Sequence, residues 1–121
     1  MKHLIKVMKA LSDPGRLKIL KALEKRNLCV CELQEVMGLA QSTVSKHLKI
    51  LEEAGLVHWE KEGPWVNYAL DKETDNPYAA EMLAKVKNWL EDDAAVSEMQ
   101  LLLPEIHRDR IRKSVSDRAA S

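Results

Sequence analysis

The chain has 121 residues, two cysteines, no phenylalanine and a formal net charge of zero. That length suits one domain with a modest core, or one that completes its core by pairing with a copy of itself. With 45% hydrophobic residues it is not a disordered tail, and no apolar run approaches the roughly 18–20 residues that span a bilayer. The opening "MKHLIKVMKAL" is too short and too charged for a signal peptide. The expectation is a cytoplasmic protein with no membrane partner, in which thiols stay reduced and close cysteines mark a metal or redox site.

Zero net charge argues at first against a polyanionic partner, but the charges are sorted along the chain. Residues 1–27 carry eight basic and two acidic side chains. Arg108, Arg110, Arg112, Lys113 and Arg118 crowd the other end, while negative charge gathers between Glu52 and Asp75 and at Glu91–Asp93. Such sorting permits one basic face, which is what a nucleic acid contacts.

In chain order, Leu4, Val7, Met8 and Leu11 recur at helical spacing and predict an amphipathic first helix. "SDPGRLKILKALEKRN" predicts a second, with Ser12 or Asp13 as cap, Pro14 at the first helical position and Leu17, Leu20 and Leu23 on one face. "CELQEVMG" predicts a short third helix burying Leu33 and Val36 and ending at Gly38. After the turn "LA", "QSTVSKHLKILEEAG" predicts a fourth, with Gly55 at its left-handed exit. Two short helices around a tight turn make a helix-turn-helix, spanning about 31–55.

"LVHWEKEGPWVNYAL" alternates apolar and polar residues on either side of Gly63-Pro64, which predicts a β-hairpin over about 56–70. Asn76-Pro77 then opens a long helix to about residue 103, with "EDDAAVS" as a place to bend or restart. Residues 104–121 turn charged and small and are expected to form a flexible tail. The fold class is therefore mainly α with a small β-hairpin: a winged helix-turn-helix domain over 1–103. The outermost helices carry apolar faces that one small domain cannot cover, which predicts a homodimer through the N- and C-terminal helices.

The fourth helix carries the first candidate site. At 100° per residue Val44, Leu48 and Leu51 share the buried side, and Ser42, Lys46, Lys49 and Glu53 lie opposite, with Ser45 at the edge. Gln41, Ser42, Thr43 and Ser45 offer hydrogen-bonding groups for base edges, and Lys46 and Lys49 offer charge for phosphates. The expected partner is double-stranded DNA. Lys61, at the hairpin tip, is a further candidate for phosphate or minor groove, although Glu60 and Glu62 flank it. Arg16, Lys18 and Lys21 either meet the DNA backbone or solvate the second helix. His47 reads as a packing histidine, and Trp59, Trp65 and Trp89 as core.

The second candidate is "NLCVCELQ". Cys31 stands where the third helix needs a cap, in a capping box "CELQ" whose usual Ser is replaced by a poor acceptor. A helix N-terminus also favours thiolate. If Cys29-Val30-Cys31 is extended, both sulfurs face outward on one side with Val30 inward. Two adjacent thiolates suit soft ions, and two more ligands for a structural zinc site are not at hand nearby. The plain alternative is two small buried apolar fillers. No general acid or base lies near the pair in sequence, so no enzyme and no catalytic cofactor are expected.

The segments "LSDPGRLKIL", "NLCVCELQ", "AQSTVSKHLKILEEAGLV" and "GPWVNYAL" together resemble the ArsR/SmtB family of dimeric winged-helix repressors, and within it the arsenic-responsive branch. The resemblance implies a homodimeric repressor that leaves its operator when the inducer, As(III) or Sb(III), binds Cys29 and Cys31. It matches Gln41, Ser42, Thr43, Ser45 and Lys46 to the start of the recognition helix. The arsenic pattern places a third cysteine where this chain has Gln34, and the family's zinc-type His/Asp cluster on the last helix is absent, residues 76–103 holding no histidine. A thiol-based redox or persulfide sensor of the same fold is the alternative.

Overall fold

The computed structural model describes residues 1–108. Helices α1 (Lys2–Ala10) and α2 (Pro14–Leu23) are joined by a short turn that is tied at both ends. Asp13 is extended, and its carboxylate accepts the Arg16 amide at 3.2 Å, capping α2 above Pro14. The Arg16 guanidinium reaches back to the Ala10 and Lys9 carbonyls at 2.7 and 3.1 Å. The last orphan carbonyls of α1 are thus satisfied by the helix that follows.

A two-residue strand β1 (Leu28–Cys29) runs directly into α3 (Val30–Met37). Gly38, at φ 65°, ends α3 as expected, and Gly55, at φ 79°, follows α4 (Gln41–Glu53) in the left-handed conformation expected of it. Strands β2 (Val57–Glu62) and β3 (Trp65–Leu70) form the hairpin around Gly63-Pro64. The sheet has three strands, in the order β1-β3-β2. The third strand pairs Leu28 with Tyr68 and Cys29 with Asn67. It was not foreseen because two residues carry no alternation to read.

Val7, Ile19, Leu20, Leu33, Val44, Leu48, Leu51 and Leu56 are completely buried and draw α1 through α4 and the start of the wing into one core. Each such side chain contributes roughly 1.5–3 kcal/mol relative to exposure. Helix α4 packs against α1, α2, α3 and β2, so its outer face is presented by packing and not by its own loops.

The C-terminal half departs from the long helix expected over 76–103. It is two helices, α5 (Pro77–Val86) and α6 (Ala94–Leu102), followed by a 3₁₀ turn at Leu103–Glu105. The break is built around Lys21, which is wholly buried and not on a DNA-facing or solvated surface. Its ammonium donates to the Val86 and Lys87 carbonyls at 3.1 and 3.4 Å and pairs with Glu24 and Glu91 at 2.7 and 2.9 Å. Burial alone would lower its pKa, but the two carboxylates outweigh burial and raise it. Leu90 turns the chain at φ 63°, and Asp93 caps α6 through the Val96 amide.

Two tryptophans read as core lie on the surface instead, Trp59 on β2 at 50% exposure and Trp89 after α5 at 48%. Ile5, Met8, Leu101 and Leu102 are exposed as well. Within the stretch expected to form a tail, the described residues are tied to the fold: the Ile106 carbonyl accepts from Arg26, and Arg108 reaches the wing. Residues 109–121 lie outside the described part.

Candidate nucleic-acid interface and cysteine site

On α4, Val44, Leu48 and Leu51 are buried, while Gln41, Ser42, Ser45, Lys46 and Lys49 are exposed and Thr43 is half-buried. Periodicity therefore assigned the faces correctly. Ala40, the residue before the helix, offers no side-chain cap, so the first amides of α4 remain turned toward whatever approaches its N-terminus. His47 is a packing histidine, as expected. Its ring lies 3.7 Å from the Asp13 carboxylate and 3.3 Å from the Arg16 guanidinium, tying α4 to the start of α2. Gly15 is small for this reason: a Cβ there would stand 3.0 Å from the His47 ring nitrogen.

Lys61 is exposed on β2, opposite Val66 of β3 and next to the turn. The wing is braced from the C-terminal side. The Arg108 guanidinium donates to Asn67 Oδ1 at 3.3 Å and Glu62 Oε1 at 3.4 Å, and lies 5.1 Å above the Trp65 ring centroid. Glu62 and Asn67 are also bonded to each other. Glu62, which weakened the wing assignment in the sequence, is exposed but paired with a cation of the same chain.

The cysteines sit where β1 becomes α3. The cap is Cys29, not Cys31: Cys29 is extended at φ −84° and ψ 169°, and the helix starts at Val30. The box is two residues earlier than "CELQ" and runs Cys29 to Glu32. The Cys29 amide donates to Glu32 Oε1 at 3.0 Å, and the Cys29 sulfur stands in for the usual hydroxyl toward the Glu32 amide. Cys29 is buried at 3% exposure, and Cys31, in the first turn, is half-buried, as is Val30. Val30 packs against the core as expected, but the expected outward pair of sulfurs is corrected at Cys29, because β1 pairs with the wing and draws Cys29 in. The two sulfurs are nevertheless side by side, 2.8 Å apart.

The thiolate-favouring effect expected of the helix end does not prevail at Cys29. Burial, and secondly the bond to the Cys31 sulfur, push its thiol up to about 12, and the Glu32 amide only partly offsets them. Glu32 itself is buried and ionised. Burial would raise its pKa, but the Cys29 amide and the Arg26 guanidinium hold it below the ordinary carboxylate value. Arg26 bonds Glu32 at 3.0 Å with one nitrogen and the Leu103 and Ile106 carbonyls with another. Through that fork the helix cap is joined to the end of the described chain.

The sequence profile for bacterial regulatory proteins of the arsR family matches residues 13–58. The arsenical resistance operon repressor of Bacillus subtilis is 43% identical over 76 residues, an alignment covering 62% of this chain and 72% of that protein. The chain belongs to the arsR family. Among solved structures, a homodimeric winged helix-turn-helix DNA-binding domain from Mycobacterium bovis superimposes with a TM-score of 0.62 at 29% identity, covering 71% of this chain and 76% of that one. HlyU from Vibrio cholerae gives 0.59 at 32%, covering 70% and 88%.

For this arsR-family regulator, a DNA-binding winged-helix protein of transcription, the sequence reading located α4, the wing and the cysteine pair. It missed Glu32, Arg26 and Arg108, which connect them. Glu32 carried a signal, since a Glu three residues after Cys29 completes a capping box in that frame. Arg26 and Arg108 carried none, because Glu32 lies six residues from Arg26, off any helical spacing, and their other partners Leu103 and Asn67 are 77 and 41 residues distant in the chain. Among the described residues, no three His, Cys, Asp or Glu side chains come together as a metal cage, and no helix is long and apolar enough to cross a membrane.

Proposed function

We propose that the protein is a homodimeric repressor that holds operator DNA with α4 and the wing and releases it when As(III) or Sb(III) binds Cys29 and Cys31. The observation that carries this reading is the pair of sulfurs 2.8 Å apart at the cap of a helix packed against α4. Two soft donors in contact fit a thiophilic ion far better than a hard one.

In this reading Gln41, Ser42, Thr43 and Ser45 meet base edges, and Lys46, Lys49 and Lys61 meet phosphates. The exposed Ile5, Met8, Trp89, Leu101 and Leu102 belong to the surface shared by two copies, which spaces the two α4 helices about one DNA turn apart. Ligation takes Cys29 away from its capping role and strains the β1–β3 pairing at Asn67. Both DNA-reading elements then feel the ion, α4 through α3 and the wing through β3. By linkage the ion weakens DNA binding only as far as DNA weakens the ion, typically by about 1–3 kcal/mol.

The test is a gel shift on the operator, with and without arsenite, for the native chain and for Cys29→Ser, Cys31→Ser together. The double variant should bind DNA and ignore arsenite. A folded double variant that no longer binds DNA would overturn the assignment.

The sulfur contact also favours a second reading, a thiol switch responding to oxidants or persulfides. The protonated state of Cys29 and the strained ring that a one-residue spacing would close both count against it. Mass spectrometry after peroxide and after arsenite separates the two, because only the switch predicts a mass loss of two hydrogens coupled to DNA release.

A further inference from the structure

We propose that the polar cavity beside the cysteine pair binds a small zwitterionic thiol, whose sulfur becomes the third ligand of the metalloid; this rests on the metalloid reading above. A trivalent arsenic or antimony centre takes three ligands, and the whole chain holds only two cysteines. Gln34 ends in an amide, a hard donor with little affinity for such a centre. The third soft donor has to come from outside the chain.

The structure offers a place for it. A cavity of about 380 Å³ is walled by Arg26, Glu32, Glu62, Asn67 and Arg108, among others, within the size range of small-molecule sites. Its position relative to the sulfurs follows from sheet geometry. Asn67 stands directly opposite Cys29 in the antiparallel β1–β3 pair, and opposed residues project from the same face. The Cys29 side chain therefore projects on the same face as Asn67; the cysteines themselves do not line the cavity, but Glu32 of its wall accepts from the Cys29 amide.

The wall chemistry selects the ligand class. Arg26 pairs with Glu32 at 3.0 Å, and Arg108 with Glu62 at 3.4 Å. Two guanidinium forks suit carboxylates, and two carboxylates suit an ammonium. A ligand bearing both charges can exchange into these pairs without leaving a bared ion, whereas a simple anion or cation would strand one partner. A thiol carrying carboxylate and ammonium groups, such as glutathione, satisfies the wall and supplies the sulfur.

The step balances without any redox change. Arsenous acid exchanges three As–OH bonds for three As–S bonds, to Cys29, Cys31 and the small thiol. Each thiol proton leaves with a hydroxide, so three waters depart and arsenic stays trivalent.

The experiment titrates arsenite into the full-length protein on its operator with glutathione, with 2-mercaptoethanol at the same concentration, or with no thiol. Glutathione should lower the arsenite needed for half-release about tenfold more than 2-mercaptoethanol does, the order expected for one charge-assisted pair. Native mass spectrometry should show one arsenic and one glutathione per protomer. Arg108→Gln, or Glu62→Gln if the first does not fold, should abolish the difference between the two thiols. Equal release with both thiols, or arsenic bound with no glutathione, would refute the cavity site and leave the metalloid reading standing. If arsenite releases the operator in no arm, both fall.

Discussion

Replacing Cys29 by serine tests whether this residue is a cap kept for its sulfur or a core filler. Cys29 has the extended geometry of a helix cap, with Glu32 in place three residues on, so only the acceptor atom is poor. A hydroxyl there would accept the Glu32 amide properly, and good caps are worth about 0.5–2 kcal/mol over non-capping residues. The opposing cost is a buried hydroxyl, about 1–3 kcal/mol if unsatisfied. That cost is largely cancelled when the hydroxyl bonds both the Glu32 amide and the Cys31 sulfur. The expected net effect of Cys29→Ser is between neutral and about 1 kcal/mol of stabilisation, or up to ~5 °C in Tm for a domain of this size. Calorimetry at fixed protomer concentration measures it, since any dimer makes Tm concentration-dependent. The same variant should lose its arsenite response. A loss of more than about 1 kcal/mol would show that the sulfur is needed for packing, and the argument that function keeps it there would fail.

Other expectations follow from the same geometry. Because the Cys29 thiol is pushed up to about 12, it is protonated near neutrality, and a divalent soft cation such as Cd²⁺ must expel that proton. Each thiol that must lose its proton adds about tenfold per pH unit, so cadmium affinity should rise by at least about tenfold per pH unit, from Cys29 alone, between about pH 6 and 8. Arsenous acid, which discharges the thiol proton as water, should show a nearly flat profile, and identical slopes in calorimetric titrations would contradict this. Lys46→Ala or Lys49→Ala should reduce the slope of log affinity against log salt by about 2 per dimer with little change in operator preference. Gln41→Ala should instead cost about 1–3 kcal/mol on the cognate site at an unchanged slope. Lys21→Met should cost about 3 kcal/mol and ~10 °C in Tm, because it strands the Val86 and Lys87 carbonyls and leaves Glu24 and Glu91 uncompensated. A drop of under about 3 °C would show that this buried ammonium is dispensable.

Everything written in local periodicity was legible in the sequence. The faces of α4, the glycine exits at Gly38 and Gly55, the Asp13-Pro14 start of α2 and the Gly63-Pro64 hairpin each depend on residues within one or two turns of each other. The cysteine pair was legible as a site because its composition is unusual. Its details were not. The cap moved from Cys31 to Cys29, and the thiol from activated to protonated, because β1 pairs with the wing strand nearly forty residues later and buries the sulfur.

The remaining surprises have the same origin. Lys21 looked like surface charge until α5 ended against it, and Arg26 and Arg108 counted only toward the basic charge at the two ends of the sequence, with nothing to show that each is bonded to the rest of the fold. A sequence reports what each residue prefers among its near neighbours, and that was enough here to determine a winged-helix DNA reader with two cysteines one residue apart at the start of its helix-turn-helix. Which charges are buried, which thiol keeps its proton, and how the cysteine pair is joined to the wing were decided only by tertiary contacts. Burial and ion pairing depend on distances in space, and chain spacing does not encode those.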